Sequence, residues 1–294
     1  MVEMKTGRAP TQAIRVPLPT QNTEESRMPS SFALRAIRFL LPIWRMPLHE
    51  KALRLYQKLI KLHLDRRYRG TFHIGANEGA EAYKYGNRKV IWIEANPELM
   101  PGLLKNIAPY SRQQAYCALL GDGEREVDFH IASNSGLSSS VYSFGRYSTG
   151  DRSLWPDAGL KMQRSIRLRM ETLDRFVESQ GIDLDGYDHW VVDVQGAELL
   201  VLQGAEKSLA FCKAIVIEIS TVEVYEGGAL YPEIKHFLVT RGFMPLLEPQ
   251  TVDLKHGDVM FVHASVKETP YLRALRGLLA RSQRPSRVAT ANVA

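Results

Sequence analysis

Phe243-Met244-Pro245-Leu246-Leu247 and Asp258-Val259-Met260-Phe261-Val262-His263 are two apolar runs of strand length, joined by ten residues without helical periodicity. Runs joined this way pair antiparallel, because a parallel return needs a crossover of a dozen residues or more, usually a helix. Upstream the rhythm is different. Short β-type runs at 71–74, 89–94, 114–119, 189–194 and 214–219 alternate with helical patterns at 79–86, 97–107, 171–180, 197–210 and 231–241. That alternation predicts a parallel sheet covered on both faces by helices. The expected fold is therefore α/β, a mostly parallel seven-stranded sheet whose last strand is antiparallel. Residues Glu124 to Met170 interrupt the scheme as an insertion, with strand-like pieces at Val127–Ile131 and Ile166–Met170.

The 294 residues suit one large domain with appendages, and 45% hydrophobic with 24% charged residues is the balance of a globular chain. Charge is unevenly spread. Residues 1–70 hold 14 Lys+Arg against 5 Asp+Glu, residues 264–294 hold 6 against 1, and the stretch between holds 18 against 26. A nucleic-acid enzyme more often carries its basic surface on the catalytic domain itself, which here is acidic. The two cysteines, Cys117 and Cys212, both lie in apolar stretches. They predict buried thiols in a reducing compartment and neither a disulfide framework nor a structural zinc site. Residues 1–30 read as a disordered tail rich in Pro, Thr, Ser, Arg and Gln. Residues 31–69 read as a basic helical extension, 70–264 as the catalytic domain, and 265–294 as a basic C-terminal helix and tail. No run reaches the roughly 20 apolar residues of a membrane span, and no secretory signal is evident, so the expectation is cytoplasmic. The amphipathic basic patterns at 32–64 and 271–281 either pack on the domain or rest peripherally on an anionic membrane at its inner face.

Open α/β sheets bind ligands beyond the carboxyl ends of their strands, where the strand order reverses. After the first strand comes Phe72-His73-Ile74-Gly75-Ala76-Asn77-Glu78-Gly79. Its G-x-x-x-G spacing permits a tight turn and a close ligand, and differs from the G-x-G-x-x-G of a dinucleotide site. The second strand ends in Glu94-Ala95-Asn96-Pro97, with Glu94 placed 19 residues after Gly75. A carboxylate there can accept hydrogen bonds from both ribose hydroxyls of an adenosine, although a strand-end glutamate can also be merely solvated. The third strand ends in apolar residues, Leu119 among them, that can flank an adenine or simply fill the core. The fourth gives the sharpest signal, Trp190-Val191-Val192-Asp193-Val194-Gln195-Gly196-Ala197-Glu198. A charged residue closing a buried strand needs a partner, which is a ligand, a helix N-terminus or an ion pair. Glu218 in the fifth strand is a second such carboxylate.

These stretches resemble the FkbM methyltransferase family. The resemblance rests on Phe72–Gly79, Glu94–Pro97, Glu171-Thr172-Leu173-Asp174, Gly257–Val262 and above all Asp193 through Ala205, and it covers about residues 70–263. It implies a class I, Rossmann-like methyltransferase fold and an S-adenosyl-L-methionine-dependent O-methyltransferase acting on hydroxyls of sugars, glycans or macrolides. Carried over by position, the loop His73, Gly75, Ala76, Asn77 and Gly79 holds the methionine part of the cofactor. Glu94 and Asn96 then hold the ribose, Leu119 flanks the base, and Asp193 with Gln195 faces the reacting centre. Where many members have Asp two residues before the first glycine, this chain has His73.

Methyl transfer is an in-line displacement that demands alignment, and an alcohol becomes a better nucleophile when a positioned base takes its proton. The candidate bases are Asp193, His73, Glu218 and His130, in that order. Grouped carboxylates can hold Mg²⁺, but no pattern here is specific enough to assign a metal. In the insertion, Asn134–Ser140 followed by Tyr142, Phe144 and Tyr147 interleaves hydroxyls with aromatic rings, as suits a carbohydrate or equally an ordinary mobile loop; Ser138, Ser139 and Tyr142 are the expected substrate contacts. The rivals are an RNA methyltransferase gripping phosphates with its basic tails, and a non-catalytic adaptor on the same fold. Asp-Val-Gln-Gly in the fourth strand is unlike the Asn/Asp-Pro-Pro-Tyr of exocyclic amine methylation, and a dehydrogenase conflicts with both the glycine spacing and the closing hairpin.

Overall fold

The computed structural model describes residues 67–154, 159–246, 248–249 and 254–267, with Leu59 and Pro270 besides. The expected tail at 1–30, the helices at 32–64 and 271–281, and the C-terminal tail lie outside the described residues, Leu59 apart. Tyr68–Ser265 belongs to one compact unit.

In chain order the strands are β1 (Gly70–Ile74), β2 (Lys89–Glu94), β3 (Gln113–Cys117), β4 (Leu119–Leu120), β5 (Arg125–Ala132), β6 (Met162–Glu171), β7 (His189–Val192), β8 (Ala214–Ser220), β9 (Phe243–Pro245) and β10 (His256–His263). The helices are α1 (Ala82–Tyr85), α2 (Met100–Ile107), α3 (Leu173–Gln180), α4 (Glu198–Gln203) and α5 (Tyr231–Val239). Seven strands form one sheet in the order β3-β2-β1-β7-β8-β10-β9. The neighbours from β3 to β8 pair parallel, and β10 runs antiparallel to both β8 and β9. The expected hairpin is therefore present. The chain first steps outward from β1 to β3 and then returns to the other side of β1 with β7. Strand order reverses between β1 and β7, which is where a ligand crevice opens in such sheets.

Alternation along the strands divides the core between the two faces. Phe72, Ile74, Trp190, Val192, Ile215, Ile217 and Phe261 face α3, α4 and α5, joining Phe176, Leu202 and Ile234 in the main core. On the other face Val90, Trp92 and Ala115 meet Leu103 and Ile107 of α2. Trp92 and Trp190 have no exposed surface, and truncating either to Ala would cost about 3–5 kcal/mol.

Two elements depart from expectation for local reasons. The third strand, expected over 114–119, is split. Gln113–Cys117 stays in the main sheet, the Ala118 amide bonds the Glu94 carbonyl at 3.0 Å, and Leu119–Leu120 joins β6 and β5 in a small second sheet. The helix expected over 197–210 stops at Gln203. A Cβ on Gly204 would stand 1.9 Å from the Gly121 carbonyl, so the chain passes there as bare backbone. It then resumes as a 3-10 turn at Ser208–Phe211, whose Lys207 and Ser208 amides are capped by the Asp174 carboxylate at 2.9 and 2.8 Å. The Glu171–Asp174 motif thus acts in part as a structural clamp. The insertion is a long antiparallel pair, β5 with β6, in which Arg167 faces Asp128.

Candidate active site

The site grows from the meeting of β1 and β7. Asp193, just past β7, donates its amide to the Ile74 carbonyl at 2.9 Å, and Gly75 donates to the Ile93 carbonyl at 2.9 Å. Gly75 adopts φ +86°, and a Cβ there would lie 1.7 Å from the Asp193 carbonyl oxygen. Glycine is required because two strand exits approach each other, before any ligand is considered. The loop then turns through Asn77 at φ +48°. The Asn77 amide donates to one Glu94 carboxylate oxygen at 2.7 Å, and the Asn96 amide donates to the other at 2.8 Å. Burial raises the Glu94 pKa, and these backbone donors oppose the rise. The acid ties together the loops after β1 and β2 while its remaining lone pairs face a cavity.

That cavity is partly open to solvent. Gly75, Asn77 and Glu94 line one side, Leu119, Leu120, Phe129 and Val141 form an apolar wall, and Asp193 and Gln195 close the end. Leu119 comes from β4 and Phe129 from β5, so the split third strand and the insertion together build the apolar wall.

Behind Asp193 the polar groups converge. The carboxylates of Asp193, Glu198 and Glu218 place oxygens within 4.8 Å of one another. The Gln195 side-chain amide donates to Asp193 at 2.5 Å and to Glu218 at 2.7 Å, while its oxygen accepts the Tyr225 hydroxyl. Glu198 accepts the Val194 and Gly196 amides at 3.0 and 3.1 Å. Glu218 continues to His256 Nε2 at 3.2 Å, and His256 Nδ1 meets the Ser220 hydroxyl at 2.9 Å. Burial raises all three carboxyl pKa values. Glu198 reaches about 7, with the Asp193 charge adding to the rise. Glu218 reaches about 8, with the Glu198 charge adding. Asp193 rises well above the usual carboxylate range, and Glu218 reinforces the effect. Burial lowers His256, against the pull of Glu198, Asp193 and Asp258. The triad is the group among the described residues whose spacing could hold a divalent cation.

The structure brings Gly75, Asn77, Glu94, Leu119, Asp193, Gln195 and Ser139 to the cavity wall, and Glu218 to the second layer behind Asp193. It does not bring His73 there. That ring lies within the sheet, stacked on Trp92 at 4.5 Å with Nδ1 3.2 Å from the Tyr85 hydroxyl, and burial lowers its pKa to about 4. Alternation explains the placement, since Phe72 and Ile74 take the opposite face. His73 is therefore placed as a packing residue. Ala76 packs with Ala82 and Leu103, and Gly79 makes room for Leu103, whose Cδ1 would lie 2.5 Å from an added Cβ. Asn96 caps the turn Pro97–Leu99 by accepting the Glu98 amide. Ser138 accepts from Asn134, and Ser139 accepts the Ala132 amide, so both buried hydroxyls serve the loop. Tyr142 is half-buried near Gly227, and His130 bonds Ser165 on the small sheet; neither lines the cavity. Sequence reading gave no role to Glu198, Tyr225, His256 or Ser220, although Glu198 stood in the quoted motif, and it placed Ser140 only in the hydroxyl-rich stretch suited to a carbohydrate. Ser140 donates to the Gln195 carbonyl at 2.7 Å and fixes that residue at φ +56°. A non-glycine residue held left-handed beside a buried acid is a geometric signal that appears only once the chain is folded.

The Methyltransferase FkbM domain matches residues 73–245. The 2-O-methyltransferase NoeI of Sinorhizobium fredii (strain NBRC 101917 / NGR234) is 23% identical over 180 residues, covering 60% of this chain and 73% of its own. A solved Burkholderia thailandensis 1,6-didemethyltoxoflavin-N1-methyltransferase, with 1,6-didemethyltoxoflavin and S-adenosylhomocysteine bound, aligns at a TM-score of 0.31 and 12% identity, over 82% of this chain and 92% of that one.

Proposed function

The chain belongs to the FkbM methyltransferase family, and we propose that it transfers the methyl group of S-adenosylmethionine to a hydroxyl of a sugar, glycan or other polyhydroxylated small molecule. One observation carries this reading. At the switch between β1 and β7, a buried carboxylate, a glycine turn and an apolar wall line the same cavity that ends at Asp193. Glu94 has lone pairs for ribose hydroxyls, Leu119 and Phe129 offer faces for an adenine, and the Gly75–Asn77 backbone leaves room for the amino-acid end. Bound there, S-adenosylmethionine supplies an electrophilic methyl on a cationic sulfur. The acidic end of the cavity favours a positive charge and disfavours an anionic acceptor.

The chain's own work is to align and to move a proton. Asp193 stands at the cavity end, held by the Gln195 amide, where an acceptor hydroxyl meets the methyl in line. It accepts the proton that the hydroxyl loses or orients the group that does. The 2-O-methyltransferase relative supports oxygen as the acceptor atom. The test is a radiolabelled methyl-transfer assay over mono- and oligosaccharides, with structured RNA as the contrast. Label in at least one sugar, located on oxygen by mass spectrometry, is the expected result. Label in RNA alone would overturn the reading.

A further inference from the structure

A base at a methyl-transfer site must release the proton it takes before the next turnover, and Asp193 faces a cavity that bound ligands would fill. Behind it, away from the cavity wall, runs a connected path. Asp193 and Glu218 place carboxylate oxygens within 4.8 Å of each other and accept from the same Gln195 side-chain amide. Glu218 touches His256 Nε2 at 3.2 Å, and His256 Nδ1 touches the Ser220 hydroxyl at 2.9 Å. The His256 side chain is 14% exposed. The register of the closing antiparallel strand makes this contact, because β10 sets His256 opposite Ser220 and Asp258 opposite Glu218.

We propose that Glu218 and His256, anchored by Ser220, are the proton exit of Asp193 and pass the acceptor's hydroxyl proton to solvent, with His256 acting as a positioning and relay residue. The inference rests on the methyl-transfer reading above. In the step, the acceptor oxygen forms its bond to the methyl carbon, and the carbon–sulfur pair leaves with sulfur. The oxygen's proton passes to Asp193, from Asp193 to Glu218, and from Glu218 to His256 Nε2. The imidazolium then returns a proton to water. The charged groups acting on His256 include Glu218 and Asp258 on the paired strands, Asp193 beyond β7, and Glu198 on α4, all of them acidic. They favour a transient imidazolium, whereas burial favours the neutral ring, so protonation there is short-lived. Gln195 cannot replace this path, because both its amide protons are committed to Asp193 and Glu218.

The test is a pH titration of the full-length protein with ¹⁵N-labelled histidine rings, His256 being assigned from His256→Gln. In the intact protein the ring should report two inflections, its own below the ordinary histidine range and that of Glu218 near 8. Glu218→Gln should abolish the upper inflection. Ser220→Ala gives a reading independent of that variant's folding, and should change the ratio of the two neutral ring tautomers. Calorimetry with S-adenosylmethionine and S-adenosylhomocysteine runs alongside. The cationic sulfonium compound should move both inflections to lower pH, and the neutral sulfide should not. Cofactor binding with a ring blind to Glu218→Gln and to Ser220→Ala overturns the proton exit alone. Failure of the intact protein to bind either compound retires the methyl-transfer reading, and the proton exit with it.

Discussion

At residue scale, the same side chains and backbone atoms serve the fold and the site. Gly75 is a case where the two demands can be separated. Its φ of +86° and the 1.7 Å overlap of an added Cβ with the Asp193 carbonyl mean that no rotamer change can relieve a substitution. Gly75→Ala should destabilise the protein by about 3 kcal/mol or more, seen as a fall of about 10 °C in the calorimetric midpoint. An unchanged midpoint would mean that β1 and β7 do not meet as described. Asp193→Asn probes the chemistry instead. The amide keeps the shape but neither holds nor takes a proton, so kcat on a sugar acceptor should fall about 10²–10⁴-fold, with S-adenosylhomocysteine binding preserved. Full turnover would remove Asp193 from the proton path. The positions of Asp193, Glu94 and Gly75 at strand ends were legible in the sequence, because each follows an apolar run that reads as a buried strand. His73 was misleading because it lies in such a run itself, and only strand alternation and the Trp92 stack show which way its ring turns.

At element scale, the roof over the acidic cluster is made by two segments that the sequence shows only as loop. Residues 143–147 and 223–226 are joined by backbone bonds from Gly145 to Val224 at 2.8 Å, from Tyr147 to Glu223 at 3.2 Å, and from Glu226 to Ser143 at 2.9 Å. Tyr225 links this roof to the site through its hydroxyl, which meets Gln195 and the Ser138 carbonyl. Tyr225→Phe should cost about 1–2 kcal/mol in urea unfolding and speed amide exchange at Gly145 and Tyr147 by about tenfold. Unchanged exchange would show that the hydroxyl does not hold the roof. The regular elements were legible where their periodicity ran long, as in β2 over Lys89–Glu94 and α5 over Tyr231–Val239. The breaks were not, because Gly204 ends its helix on account of Gly121, a residue 83 positions earlier. Such a contact leaves no mark in a local pattern. Tyr225 and His256 escaped for the same reason, since each reaches the acids only through the pairing of distant segments.

At the scale of the whole molecule, the chain combines an acidic middle stretch with basic ends, and three carboxyls, one buried and two partly buried, share one site. Those carboxyls link stability to pH. Glu198 and Glu218 have folded pKa values of about 7 and 8, raised from an ordinary 4.5. For such groups the stabilising contribution is fully present below pH 4.5 and is lost as pH rises through 7 and 8. Relative to Glu218→Gln, the intact protein should therefore lose stability between pH 5 and pH 8.5 in parallel urea titrations; a constant difference would show that Glu218 ionises normally. Among the described residues no helix is long and apolar enough to cross a membrane. The architecture followed from strand–helix alternation and the closing hairpin. The claim on which the rest depends is that the cavity between β1 and β7 binds the methyl donor through Glu94. Calorimetric titration of the intact protein and of Glu94→Ala with S-adenosylhomocysteine measures it directly. The account predicts one-site binding to the intact protein, weakened at least about tenfold in the variant. Absence of binding, or equal binding by both proteins, would contradict it.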